Sequence, residues 1–176
     1  MVDTKSDRIV GIERKSQNYR SMYIFGVYLP ADGLIDNYRQ ELNALNDLYS
    51  HYINYGNVIV AGNLNVSCIN KNFEFSNTMK SKELQKFVNR HIICHSFTDT
   101  CKTIRKGPEF TFTLKNTMLD YILIDETLVR QLRRYEILEE GTFSSTSDHL
   151  PVIACVELED NPYIDVTHAI GDTLTQ

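Results

Sequence analysis

Tryptophan is absent from the sequence, and cysteine is scarce and unpaired. The four cysteines, Cys68, Cys94, Cys101 and Cys155, form no C-x-x-C pair. That excludes the paired ligand spacing of a structural zinc site and points to free thiols in a reducing compartment. Long apolar runs are also missing. No stretch reaches the ~18 residues of a membrane-spanning helix, so no membrane association is expected. The segment Met1 to Arg8 is polar and lacks the apolar core of a secretory signal, which leads us to expect an intracellular chain, nuclear or cytoplasmic. Internal repeats and low-complexity blocks are lacking too.

An excess of basic charge is the remaining absence. The 176 residues carry a formal net charge of −5, with 18 Lys and Arg against 23 Asp and Glu. The imbalance is confined to the end of the chain. Residues 157–176 hold Glu157, Glu159, Asp160, Asp165 and Asp172 and no Lys or Arg; without those five, residues 1–156 have 18 acidic and 18 basic residues. A near-neutral domain neither supports nor excludes a nucleic-acid partner, because a bound cation can neutralise phosphate.

What is present is an alternation of strand and helix signals. Residues 8–13 and 22–29 read as strands, rich in β-branched and aromatic side chains. A helix is expected from about Ile35 to Tyr55, with Ile35, Tyr38, Leu42, Leu45, Leu48, Tyr49 and Tyr52 on one face and Gly56 as its stop. Residues 57–61 form a short apolar run that predicts a buried strand ending at Gly62. Ser81 is placed to cap a second helix to about Arg90. Further strands are expected at Phe110 to Thr113, Met118 to Ile124, Tyr135 to Leu138 and Leu150 to Leu158, with a helical turn from Glu126 to Leu132. Strands with helices outside them predict layered α/β packing. Residues 1–158 read as the domain and 159–176 as an acidic tail or linker.

Three polar segments fall at strand ends, where side chains can enter a cleft. The first is Gly62-Asn63-Leu64-Asn65. Gly62 permits a sharp turn, and Asn63 and Asn65 share a side if the backbone stays extended. Their amides can donate to a phosphate without adding negative charge; the plainer alternative is a polar turn. The second, Met118-Leu119-Asp120-Tyr121-Ile122-Leu123, sets a carboxylate in an apolar strand, where it must be paired or structural. The third, Ser147-Asp148-His149-Leu150-Pro151-Val152, puts two titratable groups before a strand. A carboxylate beside His149 fixes its tautomer and prepares it to exchange protons or to stabilise negative charge.

In this order the three segments resemble the endonuclease/exonuclease/phosphatase family, in particular endonucleases of non-LTR retrotransposons. The family's marks are a Gly-Asp-Phe/Leu-Asn turn, an Asp-Tyr strand and a Ser-Asp-His strand start. Gly-Val-Tyr28-Leu-Pro30 resembles its Tyr-x-Pro segment, and Phe110-Thr111-Phe112 its aromatic-Thr-Phe step. The resemblance spans about residues 8–158. It implies a DNase I-like sandwich of two mostly antiparallel sheets packed face to face with helices outside. It also implies magnesium-dependent (or manganese-dependent) attack of water on a phosphodiester, with nucleic acid, DNA above all, as the partner and no obligate protein partner. Position by position, it implies that Tyr28 orients the scissile phosphate and Asn65 hydrogen-bonds it. Asp148 lies near the metal, and His149, oriented by Asp120, stabilises the transition state. Lys102, Arg105 and Lys106, in a loop before the aromatic step, are the candidates for backbone contacts. The cluster Arg130, Arg133 and Arg134 reads as a solvated face.

Two departures from the family lower the expected activity. Asn63 stands where the family has the Asp that positions or deprotonates the attacking water, and an amide cannot take that proton. The family's first strands, which carry an Asn and a metal-binding Glu, have no counterpart here, so the chain reads as N-terminally truncated relative to that pattern. The competing expectation is an inactive retrotransposon remnant or binding module. A lipid or inositol phosphatase of the same fold comes third.

Overall fold

A computed structural model of the chain describes residues 1–15, 20–31, 34–67, 78–91, 105–139 and 147–157. The described strands are β1 (Ile9–Arg14), β2 (Ser21–Tyr28), β3 (Gly56–Asn63), β4 (Arg105–Lys106), β5 (Asp120–Ile124), β6 (Leu132–Ile137) and β7 (Val152–Val156). The described helices are α1 (Ile35–Tyr52), α2 (Met79–His91) and the single turn α3 (Glu126–Val129). One sheet has the order β1-β2-β3-β5 and the other the order β4-β6-β7. The pairings β1–β2, β3–β5 and β6–β7 are antiparallel; β2–β3 and β4–β6 are parallel. The parallel β2–β3 pair follows from α1, which returns the chain to the end where β2 began.

Side chains alternate between the faces of the larger sheet. Tyr23, Phe25 and Val27 of β2, Val58 and Val60 of β3, and Tyr121 and Leu123 of β5 are buried in one cluster with Tyr38, Leu42, Leu45 and Tyr49 of α1. Leu84, Phe87 and Val88 of α2 join the same cluster. On the opposite face, Met22, Ile59 and Ile124 pack with Leu128 and Leu132, against Ala154 and Val156 of β7. Each fully buried Val, Leu, Ile, Phe or Met among them contributes about 1.5–3 kcal/mol by leaving water. The result is a layered α/β sandwich, helices outside one sheet and the second sheet behind it.

Several sequence expectations are corrected. Helix α1 ends at Tyr52, three residues before Tyr55, where the Asn54 side-chain amide donates to the Ser50 carbonyl at 2.9 Å. Gly56 therefore does not stop the helix; it starts β3, where a Cβ would lie 2.0 Å from the Ser21 carbonyl oxygen. Thr78, not Ser81, caps α2: its hydroxyl accepts from the Ser81 amide at 3.1 Å, and the helix begins at Met79. Phe110 to Thr113 forms no strand. Phe112 makes isolated bridges to Thr117 and His149, and the chain turns at once through residues 113–116, with Asn116 left-handed at φ 48°. Arg105 and Lys106 form β4 rather than a loop, a strand too short and polar to show as a period in sequence. Cys68, Cys94, Cys101, Lys102 and residues 159–176 lie outside the described residues. No described helix is long and apolar enough to cross a membrane.

A candidate active site at one end of the sandwich

The register of the larger sheet lines up three of the expected residues. Tyr28 at the end of β2 is opposite Asn63 at the end of β3, and Asn63 is opposite Asp120 at the start of β5. Paired positions project to the same face, so the three side chains form a row across the sheet.

His149 closes the row from the other sheet's side. Its Nδ1 lies 2.7 Å from Asp120 Oδ2. An ionised carboxylate only accepts, so Nδ1 carries the proton. That leaves Nε2 as the reactive nitrogen, a base in the neutral ring and a donor in the charged one. Nε2 is 4.0 Å from Asp148 Oδ1, whose side chain is half exposed.

The backbone around this pair is held by a residue to which sequence reading gave no role. Thr111 is fully buried, and its hydroxyl accepts from the amides of Leu119 and Asp120, each at 3.0 Å. Its carbonyl accepts from Leu150 N–H at 2.7 Å. Thr111 thus fixes the segments on both sides of the Asp120–His149 bond. The Thr113 N–H and hydroxyl both donate to the Asp148 carbonyl, at 2.9 and 3.0 Å, and the Ser147 hydroxyl accepts from His149 N–H at 3.1 Å. The Phe112 ring lies against the imidazole, centroids 5.1 Å apart. The only sequence signal for Thr111 was its place in the aromatic-Thr-Phe step.

The Asn63–Asn65 turn departs from the extended geometry assumed from sequence. Asn65 is left-handed at φ 49°. Asn63 Oδ1 accepts from Asn65 N–H at 2.7 Å, and Asn65 Nδ2 donates to the Leu29 carbonyl at 2.7 Å. Asn63 therefore commits its oxygen to the turn and keeps its NH₂ as a donor. Asn65 clamps the end of β3 to the end of β2 and retains one amide hydrogen and its oxygen. Gly62 is needed for a different reason from a sharp turn. It lies within β3 at φ 139°, and a Cβ there would sit 2.1 Å from the Val27 carbonyl oxygen.

Other candidates sit elsewhere. Lys106 is exposed and on β4, across β6 from β7, so it is not in the row; Arg105 shares that strand. Arg133 pairs with Glu157 at 2.6 Å and Arg134 with Glu136, as a solvated face would.

No three His, Cys, Asp or Glu side chains gather into a metal cluster among the described residues. Magnesium, however, commonly takes one or two carboxylates and fills its other positions with water and substrate phosphate oxygens. Asp148, a half-exposed carboxylate beside His149 Nε2, fits as one such ligand.

No protein-family profile matches the chain, and no curated protein does. Solved structures do. The endonuclease domain of TRAS1, a telomere-specific non-LTR retrotransposon, matches with a TM-score of 0.63 at 15% identity, over 86% of this chain and 62% of that one. The catalytic domain of Xenopus laevis APE2 matches with 0.63 at 19% identity, over 85% and 55%. The 3′ phosphatase NExo from Neisseria, bound to a product DNA hairpin, matches with 0.59 at 18% identity, over 84% and 65%.

The chain has the DNase I-like fold.

This is the sandwich that the sequence resemblance implied. Within that fold the chain spans between 55% and 65% of the length of these three structures. The larger sheet of that fold is what lines up Tyr28, Asn63 and Asp120, and His149 meets the row through its bond to Asp120.

Proposed function

We propose that the chain hydrolyses phosphodiester bonds of nucleic acid, DNA above all, at the Tyr28–Asn63–Asp120–His149 row. The observation that carries the reading is the 2.7 Å bond between His149 Nδ1 and Asp120, which holds Nε2 as the reactive nitrogen beside that row. The likeness to a retrotransposon endonuclease domain and to a 3′ phosphatase bound to a DNA hairpin supports the same class of reaction.

Water attacks phosphorus in line, one P–O ester bond breaks, and the water's proton ends on the leaving oxygen. The products are a phosphate monoester and an alcohol. The Tyr28 hydroxyl and the Asn65 amide donate to phosphate oxygens and orient the group. Protonated His149 stabilises the charge that builds on those oxygens in the transition state. Magnesium or manganese, held by Asp148, would supply further neutralisation of the phosphate. Asn63 can hold the attacking water by its NH₂ but cannot take its proton, and loss of a general base lowers rates by roughly 10²–10⁴. The activity is therefore slow.

The same residue supports a second reading, a binding module without turnover, because the Asn63 oxygen is already committed to the Asn65 amide. Nicking of supercoiled plasmid decides between them. Slow nicking that needs magnesium and stops with EDTA supports the hydrolase; plasmid binding without nicking supports the module. Release of phosphate from an inositol phosphate, with plasmid left intact, would replace both with a phosphatase.

A further inference from the structure

The row of site residues continues one strand beyond Tyr28. Register in the β1–β2 pair runs from Arg14 opposite Met22 to Ile9 opposite Val27. The Tyr28 amide then donates to the Arg8 carbonyl at 2.9 Å, which sets Arg8 opposite Tyr28. Arg8, in the turn that enters β1, therefore extends the line of Tyr28, Asn63 and Asp120 on β2, β3 and β5. At about 4.8 Å per strand, Arg8 stands about 10 Å from Asn63, beyond the group that would be cut.

The charge at this position is uncommitted. Arg8 is exposed and makes no ion pair among the described residues. Its guanidinium lies 5.8 Å from the centroid of the Tyr28 ring, and Nη1 reaches the Tyr28 carbonyl at 3.4 Å, a long bond. Stacking on tyrosine pre-orients a guanidinium and leaves its N–H edge for two oxygens of one phosphate. Two other described cations on the helices are engaged. Arg39 pairs with Asp36 and Glu83, and Lys80 Nζ donates to the carbonyls of Pro30 and Ala31.

We infer that Arg8 binds the backbone phosphate flanking the scissile one, which makes the substrate a polynucleotide rather than an isolated phosphodiester. The inference rests on the hydrolytic reading of the row and adds to it a residue that holds a second phosphate of the strand. A lone phosphate seated by Tyr28 and Asn65 leaves Arg8 with nothing to hold; a chain of phosphates running along the row fills it.

Arg8→Gln and Arg8→Lys test this in two assays. Anisotropy of a fluorescein-labelled duplex oligonucleotide, titrated in EDTA across a salt series, counts phosphate contacts. Hydrolysis of the same duplex and of bis(para-nitrophenyl) phosphate with magnesium compares a polymer with a lone diester. Arg8→Gln should flatten the slope of log K against log salt by about 1, and Arg8→Lys should keep it. Arg8→Gln should also lower kcat/KM several-fold more for the duplex than for the lone diester. An unchanged salt slope in Arg8→Gln, or equal losses on both compounds, overturns the contact. Metal-dependent hydrolysis with an unchanged slope sinks the Arg8 contact alone. A flattened slope in a chain that cleaves neither compound sinks the hydrolytic reading and leaves the contact standing.

Discussion

Asp120 and His149, 29 residues apart, meet through a 2.7 Å bond between Oδ2 and Nδ1. The bond joins the start of β5 to the segment entering β7, so it spans both sheets. His149→Ala should lower plasmid nicking about 10²-fold or more. Asp120→Asn should cost less, since an amide oxygen still accepts the Nδ1 proton but no longer steadies a positive ring. Nicking that persists in His149→Ala would assign the activity to a contaminant.

Asn63→Asp should raise the rate by restoring a carboxylate that can take the water's proton, up to the ~10²–10⁴ a general base supplies. The gain carries a penalty that the register makes visible. The introduced carboxylate would stand directly opposite Asp120, and like charges in a cross-strand pair are destabilising, here by up to about 1 kcal/mol. Urea unfolding and nicking kinetics on the same variant read the two effects separately. A variant that is neither faster nor less stable contradicts this account of position 63.

Thr111→Val should destabilise the chain by about 1–3 kcal/mol, because two part-buried amides, those of Leu119 and Asp120, lose their acceptor. Nicking should fall as well, through looser placement of Asp120. Thr111→Ser keeps the hydroxyl and should recover most of both. If Thr111→Ser behaves like Thr111→Val, the methyl group matters and not the hydrogen bonds.

Stability should decline in alkali. Burial, then the charge of Asp125, pushes the Tyr49 hydroxyl pKa well above its usual value of about 10. Burial, then its bond to Glu13, raises that of Tyr23. Below about pH 10 folded and unfolded chains both keep these protons, and the two tyrosines add no pH dependence. Above it the unfolded chain ionises first, so stability falls as pH rises toward the folded values. Urea midpoints across this range should drop, and less steeply in Tyr49→Phe. A flat profile would show that these hydroxyls ionise freely in the folded chain.

The layers and most strands were legible because period and composition announce them. The α1 face from Tyr38 to Tyr49 and the apolar run of β3 are local signals. What failed depended on distant backbone. Gly56 and Gly62 looked like punctuation, yet each is required by a carbonyl on β2, Ser21 and Val27, that no local pattern reveals. The aromatic step at Phe112 imitated a strand because its residue types suit one, while its use is to brace His149. Asp120 and His149 could be named from motif resemblance, but their contact needed the fold. Arg8 went unnoticed because its neighbour Tyr28 lies 20 residues away and only the register brings them side by side.

That register has an all-or-none character. Side chains alternate along β3, so a slip of one position would swap Asn63 for Gly62 or Leu64 and rotate the polar line to the wrong surface. Each member is donated by a different segment, and the line is complete only when all of them have paired. A partly paired intermediate would hold the right amino acids with no common target. Competence would arrive in a single step, when the last strand locks.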